Sequence, residues 1–427
     1  MFQGGGTEGA VPPAVGIAGT LMPTLAHGWA VASQDGGHEN KDLPHPSQFF
    51  LDPQTAADQA YGSIDVTTQT AKHLIKAFYG RKANRSYFVG CSTGSRQGMV
   101  MSQHFPDYYD GIVAGAPVYD SEAVGLSGLW ADKAMQAIMP APIHKLPDDS
   151  PIPYPAFPDA DQQLFTSALL AVCDGLDGRV DGVIDNLRAC QAKFDPASFV
   201  FPDIGQPLQC TGEKTSACLS PAQINAVKMI HQGPRNSIGE RIKAPAGAAA
   251  RDVADNTAFG YAYDGGFMAP AGIPAGKIGT PTTAPVDYRL RLRSFSFAWL
   301  SPPDPGFNPR KRSPPPVDGT IAYFDALTAK NGGTTETEKF ARLYLIPNMG
   351  HCRGGPGTDQ FDMLTPLVSW VEQGTAPDRI IASGTNFSSP PAARSRPLCP
   401  YPQEARYIGP AEGDLADAAN YGCVAPE

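Results

Sequence analysis

The sequence predicts an α/β fold: a parallel sheet wrapped by helices, with a large second unit set into it. Three observations carry that expectation. Short apolar, β-branched runs alternate with amphipathic helical stretches between residues 60 and 117, the alternation of βαβ units. One of those runs ends in Gly90-Cys91-Ser92-Thr93-Gly94, a G-x-S-x-G match with strand-like residues before it and helix-like residues after it. From about residue 120 to 300 this alternation gives way to Gly-, Pro- and Ala-rich segments, and it resumes afterwards.

In chain order, Met1-Phe2-Gln3 runs straight into Gly4-Gly5-Gly6 with no signal peptide, so the chain is expected to start inside a domain. Gly4–Gly9 is too short for a phosphate loop and lacks the following Lys; it reads equally as a turn or as a donor of an oxyanion N–H. Gly28–Ser33 reads as a buried strand, and His38 in the polar stretch after it as a loop-packing residue. Ile64, Val66, Ala71, Leu74, Ile75 and Phe78 recur at helical spacing across 60–80, with Gly80 as the stop. Ser86–Val89 is strand-like; Gln97, Met99, Val100, Met101 and Gln103 suit a helix ended by Pro106; Gly111–Pro117 is the next strand. Beyond residue 120, one helix carries Trp130, Met135, Ile138 and Met139, and another spans Asp161–Val172, in what is expected to be a lid domain. The α/β character returns with a helix at Ile321–Leu327, a strand at Ala341–Ile346 and a helix at Phe361–Gln373 before Gly374, leaving a Pro- and Cys-rich tail, 390–427, to wrap the surface. The expected organisation is therefore core over 1–120, lid over 121–300, and core with tail over 301–427.

Composition narrows the function classes. The 427 residues carry a net charge of −9 without a basic tract, so binding to a nucleic-acid backbone has little to work with. No run of 18 apolar residues offers a membrane span. Eight cysteines, none in C-x-x-C, argue against zinc and thioredoxin-like chemistry and for disulfides in an oxidising compartment; they allow about 105 pairings.

The chemistry centres on Ser92. A tight glycine-flanked turn would leave its hydroxyl exposed above the sheet, and the helix behind it would aim backbone N–H groups at a developing oxyanion. His351 follows the run ARLYLI, where a general base in the order Ser, acid, His belongs, although a loop histidine also reads as structural. Cys91 precedes Ser92 and Cys352 follows His351. A bond between those cysteines would set their Cα atoms roughly 4.4–6.8 Å apart and bring Ser92 and His351 within reach of each other. A separate stretch, Cys173 to Cys190, holds Asp174, Asp177, Asp181 and Asp185 among glycines. It reads either as a solvated acidic loop or as a cage of hard oxygen ligands for Ca²⁺, without the EF-hand spacing.

Gly-Cys-Ser-x-Gly-x-Arg-Gln-Gly at 90–98 with the late Gly350-His351-Cys352 resembles the tannase and feruloyl esterase family of α/β-hydrolases. The resemblance implies an α/β-hydrolase core with an inserted lid, and Ser92 as nucleophile with His351 as base. It implies a Cys91–Cys352 bond, and an oxyanion region made by Gly4 to Gly6, centred on Gly5, and the N–H of Thr93. It also implies a structural Ca²⁺ in the lid, held by the side chains of Asp174, Asp177 and Asp181 and the carbonyls of Arg179 and Val183. A Cys173–Cys190 bond would close that loop, and short spacings suggest Cys210–Cys218 and Cys399–Cys423 for the rest. The triad acid departs from the pattern: Arg312 stands about where the family keeps an aspartate, the strand leading to it is absent, and Asp318 or Asp304, after the strand-like Ser294–Leu300, are the stand-ins. The expected function is a secreted serine carboxylesterase acting on small aromatic esters (feruloyl, galloyl or related) without an organic cofactor. The alternative is a non-catalytic or crippled relative, a calcium-binding, disulfide-bonded scaffold for aromatic or plant-wall ligands.

Overall fold

The computed structural model describes residues 2–3, 8–16, 23–39, 48–117, 130, 134, 137–138, 159–232, 235–239, 317–347, 349, 352, 357–385, 387 and 391–426. Expectations placed on 4–7, 118–129, 240–316 and 351 fall outside them, among them Gly5, the Ser294–Leu300 strand, Asp304, Arg312 and His351. The helix expected around Trp130 to Met139 falls mostly outside them as well.

The core is a parallel sheet in the order β1 (Phe2–Gln3), β2 (Tyr87–Cys91), β3 (Gly111–Gly115). Its register pairs Phe2 with Val89 and Gln3 with Gly90, and Tyr87 through Cys91 with Gly111 through Gly115. Helix α1 (Ser63–Tyr79) leads into β2 and ends at Gly80, whose φ of 71° suits glycine. Helix α2 (Thr93–His104) follows β2 directly. Successive β2 side chains point to opposite faces. Phe88 meets Ile64 of α1 and Met101 of α2 on one side, each fully buried and contributing roughly 1.5–3 kcal/mol. Tyr87 and Val89 face the other way, onto Leu364, Leu367, Val368 and Val371 of a later helix.

A second core lies elsewhere in the chain. Helices α3 (Asp159–Cys173), α4 (Leu187–Lys193) and α5 (Pro221–Gln232) bury Phe165, Leu169, Phe194, Leu208, Leu219, Ile224 and Ile230 together. Helix α6 (Val317–Lys330) sets Phe324 edge-on to Tyr401, and helix α7 (Leu364–Gln373) returns the chain to the first core; Asp362 accepts from the N–H groups of Leu364 and Thr365, and Gly374 ends α7 with φ 72°. Two antiparallel pairs complete the described chain: β4 (Ile380–Gly384) with β5 (Arg394–Leu398), and β6 (Glu404–Tyr407) with β7 (Tyr421–Val424).

Three sequence expectations are corrected. Gly28–Ser33 forms no strand: β1 pairs over only two residues, so no ladder extends to it, and Trp29 and Val31 pack on Tyr87 and Val89 as side chains instead. Ala341–Ile346 makes a single bridge, Tyr344 to Pro400, because a proline offers no N–H to carry the ladder on. The apolar stripe of α1 is buried only at its start. Ile64 is inaccessible, but Val66, Leu74 and Phe78 are exposed, because the short sheet does not reach under the rest of the helix. A hollow of about 990 Å³ opens there, lined by Trp29, Val31, Ile75 and Tyr87; Ser92 and Thr93 do not line it.

Candidate functional site

The turn from β2 into α2 brings strand and helix into backbone contact. A Cβ on Gly90 would lie 2.5 Å from the carbonyl oxygen of Gly94, so only glycine fits. At Gly98 a Cβ would press within 2.9–3.1 Å of the Phe88 ring and the Ile112 methyl, which explains the third glycine of the motif. Between them Ser92 adopts φ 59°, ψ −120°, a conformation a non-glycine residue holds only when its surroundings enforce it. The enforcing bonds are visible. Ser92 N–H donates to the Gly115 carbonyl at 3.0 Å, and the Ser92 carbonyl accepts from the Ser95 and Arg96 N–H groups and the Ser95 hydroxyl. The Ser92 side chain is left out of this network: it makes no capping hydrogen bond although it stands at the helix start. Thr93 is the first residue of α2, where helix N–H groups have no intrahelical acceptor.

Behind the elbow, Arg96 and Gln97, which the sequence reading placed in the motif without a role, hold α2 in place. Arg96, whose guanidinium burial pulls its pKa down while the charge of Glu8 opposes that shift, donates to the Gln59 carbonyl (3.1 Å) and side-chain oxygen (2.9 Å). Gln97, fully inaccessible, donates to Glu8 (3.3 Å) and to the Gln59 carbonyl (3.2 Å). The Gln59 acceptors lie in a π-turn, Asp58–Gly62, a local distortion that no periodicity rule detects.

All four disulfides that spacing and resemblance implied are present: Cys91–Cys352, Cys173–Cys190, Cys210–Cys218 and Cys399–Cys423. In the first, the Cα atoms are 6.0 Å apart across a separation of 261 residues, so Cys352 stands beside the elbow. His351, Gly5, Asp304 and Arg312 lie outside the described residues. Asp318 is carried by α6, and its side chain lies outside the description too. His38 is buried and stacked on Phe49 with ring centroids 3.7 Å apart, a packing role.

The acidic stretch is not a solvated loop. Asp174, Asp177 and Asp181 are 5–7% exposed. Asp174 accepts from the N–H groups of Asp181 and Gly182 at 2.9 Å, Asp177 from those of Arg179 and Asp185, and Asp181 from that of Val183. Burial, then the charges of Asp181 and Asp174, pushes the Asp177 carboxyl up to about 7. Burial also raises Asp174 and, with help from Asp177 and Asp181, raises Asp185 strongly. Among the described residues no three His, Cys, Asp or Glu side chains stand in a metal-ligand arrangement, since backbone N–H groups take up the carboxylate oxygens. The donor chemistry nevertheless suits Ca²⁺: oxygen ligands only, with clustered buried negative charge that a cation relieves. Sequence reasoning missed the loop's partners. Arg394 and Arg396 of β5, 3% and 4% exposed, reach Asp181 from the tail, which therefore does more than wrap the surface. The available signal was two arginines two apart on a strand, hence on one face.

The fold and elbow define a hydrolase-type α/β protein, and comparison gives the family. The family model described as "Tannase and feruloyl esterase" matches residues 1–263 and 311–424, and the chain belongs to that family. It is 38% identical to the mono(2-hydroxyethyl) terephthalate hydrolase of Piscinibacter sakaiensis, over all of this chain and 79% of that relative. It is 29% identical to a probable feruloyl esterase of Arthroderma benhamiae, over 95% of this chain and 73% of the other. Among solved structures, an esterase from Aspergillus oryzae superposes with TM-score 0.65 at 22% identity, covering 99% of this chain and 84% of that one. Tannin acyl hydrolase from Aspergillus niger gives 0.61 at 18%, covering 99% and 80%. The fold is α/β-hydrolase-like, and the protein is a carboxylic ester hydrolase.

Proposed function

We propose that this hydrolase is a secreted serine esterase that cleaves small esters of aromatic acids through an acyl-enzyme. The observation that carries the reading is the Cys91–Cys352 bridge beside a strained Ser92. Each bridged cysteine is one peptide unit from a reacting residue, so covalent geometry tethers the Cα atoms of Ser92 and His351 within about 14 Å. That span suits a serine and an imidazole reaching toward each other. In the reaction Ser92 Oγ attacks the ester carbonyl while His351 takes its proton. The Thr93 N–H and the Gly4–Gly6 segment stabilise the oxyanion, and the proton passes to the departing alcohol. Water, deprotonated by His351, then releases the acid and restores Ser92.

The second core, from Ala134 to Ile230, supports reading residues 121–300 as a lid that shapes the acyl pocket. The relatives named for feruloyl and terephthalate esters support an aromatic acyl group. Four disulfides among eight cysteines, none free, support an oxidising, extracytoplasmic destination. Calcium would sit in the lid on Asp174, Asp177 and Asp181 with the carbonyls of Arg179 and Val183, supplying positive charge and no step of the reaction. The test is turnover of methyl ferulate, methyl gallate and mono(2-hydroxyethyl) terephthalate by the parent and by Ser92→Ala. The variant should lose on the order of 10⁴-fold or more in kcat. Equal rates would overturn the assignment.

A further inference from the structure

The carboxylate loop is held from outside by the carboxy-terminal hairpins. Arg396 Nη2 donates to Asp181 Oδ2 at 2.5 Å, Arg394 lies 3.6 Å from the same oxygen, and the Tyr421 hydroxyl donates to it at 3.2 Å. Arg394 also donates to the Asp181 carbonyl, and the Arg396 guanidinium rests 3.9 Å over the Tyr421 ring. Three further contacts follow the same seam. Arg179 stacks on the Tyr407 ring at 4.4 Å and donates to the Ala411 carbonyl, and Asn186 donates to Glu404 at 3.2 Å. The contacts from β5 and β7 onto Asp181 span 213 to 240 residues of sequence, and the Cys399–Cys423 bond ties β5's end to β7.

Charge explains why this seam is built from arginines. Four carboxylates, Asp174, Asp177, Asp181 and Asp185, crowd one buried loop, and unpaired charge there would be costly. Two guanidiniums, themselves withdrawn from water, meet that charge at one oxygen of Asp181. The other carboxylates of the loop, with Glu404 adding negative charge nearby, are what a divalent cation would relieve. Both cations act on the same carboxylate, so each changes how well the other binds.

We propose that Arg394 and Arg396 are the built-in counter-cations of the carboxylate loop, so that docking of the carboxy-terminal hairpins and binding of a divalent cation are linked through Asp181. The guanidiniums hold the loop and tail together without the ion, and by repulsion they weaken the ion's binding. Linkage is reciprocal: taking the arginine charge away tightens the ion and makes tail docking depend on it. The counter-cation role stands on the contacts themselves; the linkage rests in addition on the calcium reading.

The experiment uses the full chain stripped with EGTA, as parent, Arg396→Gln and Arg396→Lys. Calcium affinity is read by titration calorimetry, and tail docking by amide hydrogen exchange in residues 421–424. In Arg396→Gln the calcium Kd should tighten about tenfold, within the usual range of coupling between sites. Exchange protection of the tail should fall at least tenfold without calcium and return with it, whereas in the parent added calcium should lower protection by up to about tenfold, the reciprocal of the same coupling. Arg396→Lys, which keeps the charge, should stay within threefold of the parent on both readouts. An unchanged or weaker Kd in Arg396→Gln overturns the linkage, and unchanged tail protection overturns the counter-cation role. If the parent binds no calcium, the calcium reading and the linkage fall together, while the calcium-free exchange data still decide the role of the arginines.

Discussion

Removing the bridge beside the elbow, as Cys91→Ala with Cys352→Ala, separates its two effects. On stability, the chain-entropy relation applied to a separation of 261 residues gives about 5.5 kcal/mol, against about 3.5 kcal/mol for the 24 residues of Cys399–Cys423. On chemistry, the bridge alone ties the segment bearing His351 to the elbow by covalent bonds, and a misplacement of about 1 Å between reacting groups costs roughly 10²-fold. The double variant should therefore lose at least about 100-fold in kcat with a much smaller change in KM. The matched variant, Cys399→Ala with Cys423→Ala, should lose stability and keep kcat within a few-fold. The assay is steady-state hydrolysis of methyl ferulate at a temperature where circular dichroism shows both variants folded, alongside urea unfolding for ΔG. If the elbow variant is folded and its kcat stays within threefold of the parent, the bridge does not set the register of nucleophile and base. If instead both variants lose kcat equally, general loosening explains the loss and the positional argument fails.

Three further outcomes follow from the geometry. Gly90→Ala should abolish folded, active protein, because its Cβ would meet the Gly94 backbone, which cannot rotate away, whereas Gly80→Ala meets no atom and costs only about 1 kcal/mol for its positive φ; urea unfolding compares the two. Stripping calcium with EGTA should lower the Tm and its return should restore it, with Asp177→Asn insensitive to both treatments; thermal unfolding followed by circular dichroism reads this. Burial raises the Tyr109 hydroxyl to about 12, so between pH 10 and 12 the unfolded chain has lost a proton that the native state keeps. Stability must then fall as pH rises through that window, by about 2–3 kcal/mol in all, and Tyr109→Phe should flatten the decline in denaturant titrations at pH 9 and pH 11.5.

Local features were legible in the sequence because their physics is local. The elbow, the stops at Gly80 and Gly374, and the helices at 63–79 and 364–373 each depend on a few adjacent residues. Gly28–Ser33 and Ala341–Ile346 were misread because a strand exists only where a neighbour supplies a ladder, and pattern alone cannot supply one. Arg394 and Arg396 escaped for a related reason. They lie in a Pro- and Cys-rich tail expected to wrap the surface, and only a contact with Asp181 more than 200 residues away makes them buried charges. The cysteines were the exception: the resemblance and the short spacings supplied the pairings, and covalent chemistry turns a pairing into a distance in space.

The same reasoning shows why the elbow's strain and its bridge belong together. A non-glycine residue at Ser92's φ of 59° costs on the order of 1–3 kcal/mol and persists only if its surroundings over-determine it. The Gly90–Gly94 contact fixes where strand and helix meet, the Gly115 carbonyl fixes the Ser92 N–H, and Arg96 and Gln97 fix the helix from behind. None of these constrains what approaches from the open side. Cys352, itself at φ 69°, is the described residue that closes that side by a covalent bond. Strain at Ser92 is thus held by packing from below, while the bridge ties Cys352 to the elbow from above. In the proposed reaction the serine needs a base beside it, and the disulfide ties Cys352, the chain neighbour of the proposed base His351, to the elbow.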